Sequence, residues 1–289
     1  MKSYLRFLSR NKLYTAIEVE GLSVALAFVL IIGSYVWQEY SISRENPDYE
    51  RIYIPTQSMP YGIFEPMKEQ IPEIEKITLV NSFDDVVMEC DDERLVTRGL
   101  AVRGDFFDIF DYEFLIGDAG CLESYTDIVI SESYAAKLAG KPELAVGMKI
   151  VPVDYPSQAY TVTGVIKDFD QNYWKYMDFI CKGESPLNDS AQKNPIFTLS
   201  ATAFIKVAES ADVDALGGKI QDIFRQLWGE KLNAAMIDQF TIKLGIERFD
   251  KLYFSGEIID AYLNMGDRSQ SIILLIVSLL LLVSAVINY

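Results

Sequence analysis

The sequence predicts an α+β domain of two subdomains, extracytoplasmic and flanked by two transmembrane α-helices. Three observations predict it. Gly21 to Trp37 and Ile272 to Ile287 are apolar runs without a single charged residue. A helix rises ~1.5 Å per residue, so each run approaches the ~30 Å hydrocarbon thickness of a bilayer. Between them, short alternating strands mix with helical patterns and keep no steady strand–helix–strand rhythm.

The elements follow in order. Residues 1–15 are basic and moderately amphipathic, with Lys2, Arg6 and Arg10 on one side and Tyr4, Leu5, Phe7 and Leu8 on the other. They predict a short interfacial helix at the cytoplasmic surface, in contact with membrane lipid. Residues 16–44 are the first transmembrane helix with an outer stalk extension. It is apolar on every face, which suits lipid rather than one side of a soluble core. Ser34, Tyr35, Val36 and Trp37 do not make a small-x-small cleavage site, so the helix reads as an uncleaved anchor. The basic residues ahead of it place the N-terminus in the cytoplasm and residues of about 45–265 outside the inner membrane. Asn46-Pro47 ends the helix, because proline disfavours helical geometry in the residue before it.

Residues 45–265 are the extracytoplasmic core domain. Arg51 to Pro55 reads as a strand, Pro60 to Gln70 as a helix, and Glu75 to Phe83 as a second strand. Val86–Glu89 and Arg94–Val102 read as a hairpin, and Asp105 to Phe110 as a short aromatic helix. Thr126–Ser131 is a strand that ends in a cap: Ser131 opens a helix, Glu132–Ala139, which stops at Gly140. Lys149–Val153 and Tyr160–Lys167 are strands; residues 168–196 lack clear periodicity and read as loop, with a strand expected near Met177 to Cys181. Ala201–Val207 is a strand. Asp212 caps a helix whose apolar stripe is Val213, Leu216, Ile220, Ile223, Phe224 and Leu227. Gln239–Arg248 reads as a last long strand. The segment of about 84–196 is expected to be inserted into the flanking subdomain. Residues 266–289 form the second transmembrane helix, running inward and expected to be truncated at its inner end.

Charge and composition narrow the function. Four of 26 basic and two of 42 acidic residues precede Trp37, leaving a net −18 beyond it. That acidity excludes nucleic acid as a partner and keeps an exposed domain soluble. No histidine is present, which removes the usual general base and every Ser-His-Asp device. Cys90, Cys121 and Cys181 match no metal spacing. One disulfide and three unpaired thiols both fit them.

Other site patterns fare no better. Ser190-Ala191-Gln192-Lys193 fits Ser-x-x-Lys without its companion motifs. Asp84-Asp85, Asp91-Asp92-Glu93 and Asp168-Phe169-Asp170 lack the ligand spacing and turn glycine of a calcium loop. Gly140-Lys141-Pro142 lacks the remainder of a phosphate loop. The sequence thus assigns no catalytic residue, no metal and no cofactor, and the chain is not expected to be an enzyme.

Several marks occur in order along the chain. Asn11-Lys12-Leu13-Tyr14-Thr15 leads into Gly21-Leu22-Ser23, and Arg51-Ile52-Tyr53 follows the first span. Asp105-Phe106-Phe107-Asp108-Ile109-Phe110 precedes Phe114-Leu115-Ile116-Gly117-Asp118. Val129-Ile130-Ser131-Glu132-Ser133-Tyr134-Ala135-Ala136-Lys137-Leu138 comes next, then Tyr160-Thr161-Val162-Thr163-Gly164-Val165-Ile166-Lys167-Asp168, and Val286-Ile287-Asn288-Tyr289 closes the second span. In this the chain resembles the permease subunits of MacB/FtsX-type ABC transporters with their extracytoplasmic core domain. It departs from the family at Ala139-Gly140 and at Ala145-Val146-Gly147-Met148-Lys149, where Phe-Gly and Pro-hydrophobic-Gly-Lys are usual. The family has at least four spans, and two are present here.

The resemblance implies mechanism by leverage. A cytoplasmic ABC ATPase subunit would dimerise on ATP and move the two helices as a stalk, in partnership with a second permease chain or half. The outer domain would then act on a substrate, or on a periplasmic or outer-membrane partner, in export, efflux or extraction. Composition alone suits equally a membrane-anchored extracytoplasmic sensor or ligand-binding protein. An anchored hydrolase is disfavoured by the missing histidines and motifs.

Overall fold

The computed structural model describes residues 12–91, 93–168, 173–183, 200–234, 244–255 and 262–288. The chain divides into two compact units. The two long apolar helices make one, and Ser43–Met265 makes the other.

Helix α1 spans Lys12–Ser41, and a 3-10 turn, Ile42–Glu45, follows it. The stalk extension beyond the apolar run is therefore helical, and the turn closes immediately before Asn46-Pro47. The last helix of the chain, Arg268–Asn288, packs against α1. Leu22, Ala25, Val29, Ile32 and Val36 are among the shielded positions of α1, at alternating spacings of three and four; Ser271, Leu274, Ser278, Leu282 and Ala285 are shielded on the other helix. That spacing is the seam of a supercoiled pair. Leu30, Ile31, Ile273 and Leu280 stand exposed around it. The Ser23, Ser34 and Ser41 hydroxyls each donate to a carbonyl three or four residues back, so none of them competes for an outside partner. Both helices are long and apolar enough to cross a membrane.

The large unit is α+β. Its strands are β1 (Ile52–Pro55), β2 (Met59–Pro60), β3 (Ile74–Cys90), β4 (Glu93–Gly104), β5 (Phe114–Ile116), β6 (Asp127–Ser131), β7 (Lys149–Pro152), β8 (Tyr160–Ile166), β9 (Phe179–Lys182), β10 (Ser200–Val207) and β11 (Ile246–Arg248). Among the described residues they pair in the order β11-β1-β10-β3-β4-β9-β6-β8-β5, and β2 pairs with β10. Strand β7 changes the character of this sheet. It pairs with β8 through Lys149 and Ile150 and with β3 through Val151 and Pro152. The path β3-β4-β9-β6-β8-β7 thereby returns to β3 and closes a ring of six strands. Closure removes free edges, which an open sheet must otherwise protect.

Two apolar cores fill this framework. The first is built from flanking segments: Ile63, Phe64 and Met67 beside β3 residues Ile77 and Leu79, β10 residues Ala203 and Ile205, and Leu216, Ile220, Ile223 and Trp228. Of these, Phe64 and Met67 belong to helix α2 (Phe64–Gln70), preceded by a 3-10 turn over Tyr61–Ile63. The second fills the ring: Met88, Cys90, Ile128, Ile130, Ile150, Tyr160, Val162, Phe179 and Cys181. Three short helices complete the middle segment: α3 (Phe106–Ile109), α4 (Glu132–Ala139) and α5 (Pro142–Ala145). Tyr134, Ala135 and Ala145 from α4 and α5 join the ring core.

Helix α4 has the caps its sequence predicts. The Ser131 hydroxyl accepts the Tyr134 N–H at 3.2 Å, and Gly140 turns left-handed at φ 75°. Helix α6 (Val213–Ala234) lays its predicted stripe on the first core, and the Asp212 carboxylate accepts the Ala215 N–H at 3.3 Å. Helix α7 is Phe249–Leu252, and the final apolar helix is α8.

The structure corrects two readings. The strands expected at 75–83 and 86–89 are one strand, β3, of 17 residues. The acidic pair Asp84-Asp85, which reads as a break, is a β-bulge: the register with β4 jumps between Phe83 and Val86, and Asp85 adopts φ 55°. A bulge absorbs extra residues without ending the ladder. Of the long strand expected over Gln239–Arg248, Ile246–Arg248 is strand, and 239–243 lie outside the described residues. Of the interfacial helix expected over 1–15, residues 12–15 are the start of α1, and 1–11 lie outside the described residues, as do 169–172 and 184–196.

Candidate functional site: the two ends of the large unit

Among the described residues, the patterns weighed as chemical sites are not brought together. Asp84 faces Arg98 at 3.8 Å across the bulge. Asp91 is a left-handed turn residue next to the Cys90–Glu93 pair. Asp168 accepts from the N–H and hydroxyl of Ser133 and so ties the end of β8 to α4. Gly140 and Lys141 link α4 to α5. Ser190, Lys193, Asp92 and Asp170 lie outside the described residues. Among the described residues no three acidic or cysteine side chains gather.

The three cysteines are unpaired, with Cys90 and Cys181 buried. Burial pushes the Cys181 thiol up to about 12 and raises Cys90 and the Tyr134 and Tyr160 phenols as well. All four are held in the neutral form, the opposite of an activated nucleophile.

What the fold does build lies where the chain enters and leaves the large unit. On the incoming side, the Asn46 side chain is buried. Its Oδ1 accepts the Asp48 N–H at 2.9 Å, and its Nδ2 donates to the Ile109 carbonyl at 2.8 Å. The first contact closes a turn; the second crosses to α3, far along the chain. Asp48 pairs with Lys206 of β10. Arg51 donates to the Val207 carbonyl at 3.2 Å and pairs with Glu75 of β3. The incoming segment is thus fixed to two central strands and to α3.

The outgoing segment is held as firmly. Leu263 forms an antiparallel bridge with Trp174. The Lys175 N–H donates to Tyr262 O at 2.8 Å, and the Asn264 N–H to Tyr173 O at 2.9 Å. The Asn264 Nδ2 donates to Trp174 O at 2.8 Å, and the Tyr262 hydroxyl to Val80 O at 3.2 Å.

The outgoing segment enters an aromatic cluster through Tyr262, and the incoming one bonds to Ile109 beside it. The cluster lies on the face of β10 opposite the first core, because Phe204 alternates with Ala203 and Ile205. The Phe110 ring meets Trp174 at 5.0 Å and Phe204 at 5.1 Å, both edge-on; Trp174 stacks on Tyr262 at 5.6 Å. Tyr173 meets Phe249 of α7 at 5.0 Å. Edge-to-face pairs of this kind contribute ~0.5–1.5 kcal/mol each beyond their burial. The cluster thus joins the 173–175 link, β10, α7 and the outgoing Tyr262, and its Phe110 directly follows Ile109, which Asn46 holds.

In the sequence Asn46 reads as a helix stop, and 173–175 and 262–264 read as connections. Nothing local marks them, since the partners of Asn46 and Asn264 are 63 and 90 residues away.

Known proteins place this architecture. The family model of the MacB-like periplasmic core domain matches residues 15–223. No curated protein sequence matches the chain. A solved domain of a protein assigned as a permease, from Porphyromonas gingivalis, superposes with a TM-score of 0.59 at 18% identity, covering 79% of this chain and 98% of that one. The periplasmic region of MacB from Actinobacillus actinomycetemcomitans aligns at 12% identity and TM-score 0.47, over 70% of this chain and 90% of its own. The extracellular domain of the noncanonic ABC-type transporter YknZ from Gram-positive bacteria aligns at 13% and 0.44, over 60% and 84%. The match spans most of the chain and begins inside helix α1, and on that ground the chain belongs to the family of the MacB-like periplasmic core domain.

Proposed function

We propose that the chain is a permease subunit of an ABC transporter of the MacB/FtsX type. Its N-terminus lies in the cytoplasm, and residues 45–265 lie outside the inner membrane. A separate ATPase moves α1 and α8, and the large unit passes that motion to a substrate or an outer partner in export or extraction. The chain itself does no bond chemistry.

One observation carries this reading: the family match covers residues 15–223, from the apolar helix α1 into the large unit. Helix and domain belong to one device, rather than a generic anchor joined to an independent binding module. The bonds of Asn46 to Ile109 and of Asn264 to Trp174, at the two ends of the large unit, support it, because leverage needs stiff couplings.

The test has two parts. In a Cys121→Ser background, Ser3→Cys should be protected from an impermeant thiol reagent in intact cells and Ser210→Cys labelled. Each ABC ATPase of the source organism is then co-expressed in turn with the full chain. One of them should co-purify with it in nanodiscs and change its hydrolysis rate. Reversed labelling, or no partner among those ATPases, would overturn the proposal.

A further inference from the structure

Two asparagine side chains make equivalent contacts at the two ends of the large unit. Asn46 follows α1 and donates to the carbonyl of Ile109; Asn264 precedes α8 and donates to the carbonyl of Trp174, both at 2.8 Å. Neither carbonyl belongs to the flanking segments. Both belong to the middle segment, one in α3 and the other in the link before β9. The residues they reach are joined to each other, since Phe110, next to Ile109, packs edge-on against Trp174 at 5.0 Å.

The covalent path to each helix is short. The α1 side passes through the 3-10 turn that ends at Glu45, directly before Asn46. On the α8 side, Asp267 caps the helix by accepting the Ser269 and Gln270 N–H groups, three residues after Asn264. Between Asn264 and that cap the chain has little slack, because an extended residue spans at most ~3.6 Å. Displacement of either helix end therefore loads its asparagine early. The load arrives on α3 or on the 173–175 link, and so on the middle segment that carries the ring core.

We infer that Asn46 and Asn264 are a pair of coupling clasps. Joined through the Phe110–Trp174 contact, they convert relative displacement of the two helix-flanking segments into movement of the middle segment. This rests on the permease reading for its purpose, although the coupling itself can be measured without any ATPase. An asparagine amide suits this role because it binds a backbone carbonyl directionally at neutral charge. It holds position without the cost of burying an ion.

The test uses the full chain in nanodiscs and amide hydrogen exchange. Asn264→Ala should speed exchange not only at Lys175 but also at Ile109 and Phe110 on the far side, by about tenfold, the effect expected of one net hydrogen bond. Asn46→Ala should do the reverse, speeding Lys175 and the amide of residue 264. Amides of the first core, such as that of Ile220, report general destabilisation and should speed up less than the far-side amides in both asparagine variants. Far-side amides that stay protected in both variants, or that speed up no more than Ile220 does, overturn the coupling and leave the permease reading intact.

A second arm adds the ATPase. Spin labels at Tyr155→Cys and Ser210→Cys should change separation on ATP binding in the wild-type background. They should fail to do so in Asn264→Ala, which still hydrolyses ATP. If the wild-type background shows no change, the permease reading falls and takes the clasps' purpose with it. If Asn264→Ala responds as the wild type does, only the clasp assignment falls.

Discussion

Ile220 lies in the middle of helix α6 and is fully buried in the first core. Its helix rests on α2 and on the 3-10 turn that precedes α2. Ile220→Ala removes a branched side chain from a site walled by Leu216, Ile223 and strands β3 and β10. Such a site cannot collapse freely, because sheet and helix hold each other apart. Truncations of this kind cost ~2–5 kcal/mol, against ~5–15 kcal/mol for a whole domain. A loss of ~3 kcal/mol, divided by a urea slope of ~2–3 kcal/mol/M, lowers the midpoint by ~1–1.5 M. Tryptophan fluorescence reads the transition directly. Trp228 sits in the same core, 5.0 Å from Phe224, and Trp174 in the aromatic cluster; Trp37 is exposed on α1 and is removed by Trp37→Phe. Strands β3 and β10 contribute side chains to both faces, so the Trp228 and Trp174 signals should move together. Gln226→Ala, on the exposed side of the same helix, should leave the midpoint in place. An Ile220→Ala midpoint within ~0.2 M of the parent would refute the packing assigned to α6.

Three further outcomes follow from particular contacts. A Cβ at Gly99 would overlap the Phe179 ring, so Gly99→Ala should cost ~1–3 kcal/mol in the same urea assay; a neutral result would mean that the ring does not cover this position. Cys121 should react first with a thiol reagent at neutral pH, and Cys90 and Cys181 only in urea, because burial raises both of their thiols; rapid native labelling of Cys181 would contradict the ring core. The Lys219 ammonium bonded to Glu73 holds that carboxyl below its usual value. A lowered folded pKa means that the stability it contributes is present above the unfolded value of ~4.3 and is lost as pH falls through the folded one. Glu73→Gln should therefore flatten the acid limb of the urea midpoint against pH, and an unchanged limb would show that the pair contributes nothing there.

Much of this fold is legible locally. The two apolar helices announce themselves by composition, α6 by its period, and α4 by a serine before it and a glycine after it. Each depends on contacts within a few residues. The continuity of β3 is not legible, because Asp84-Asp85 carries every mark of a turn. Only the partner strand, with Gly99 opposite Phe83 and Thr97 opposite Val86, shows that the ladder resumes. The closing strand β7 reads only as a short strand; its pairing of Val151 with Glu89 joins residues that no local pattern connects. The junction is hidden for the same reason. Asn264 and Trp174 become a contact only once the ring and the first core have fixed the link between them.

If the chain works by leverage, motion of the apolar helices must reach the middle segment of the large unit. The distance between spin labels at positions 155 and 210 reads that motion in the full chain, held in nanodiscs with its co-purifying ATPase. Cys121→Ser removes the one half-exposed native thiol. Leverage predicts one distance distribution without nucleotide and a distinct one when non-hydrolysable ATP is bound, returning to the first on nucleotide removal. A single unchanged distribution, recorded while the bound ATPase demonstrably turns over ATP, would contradict it.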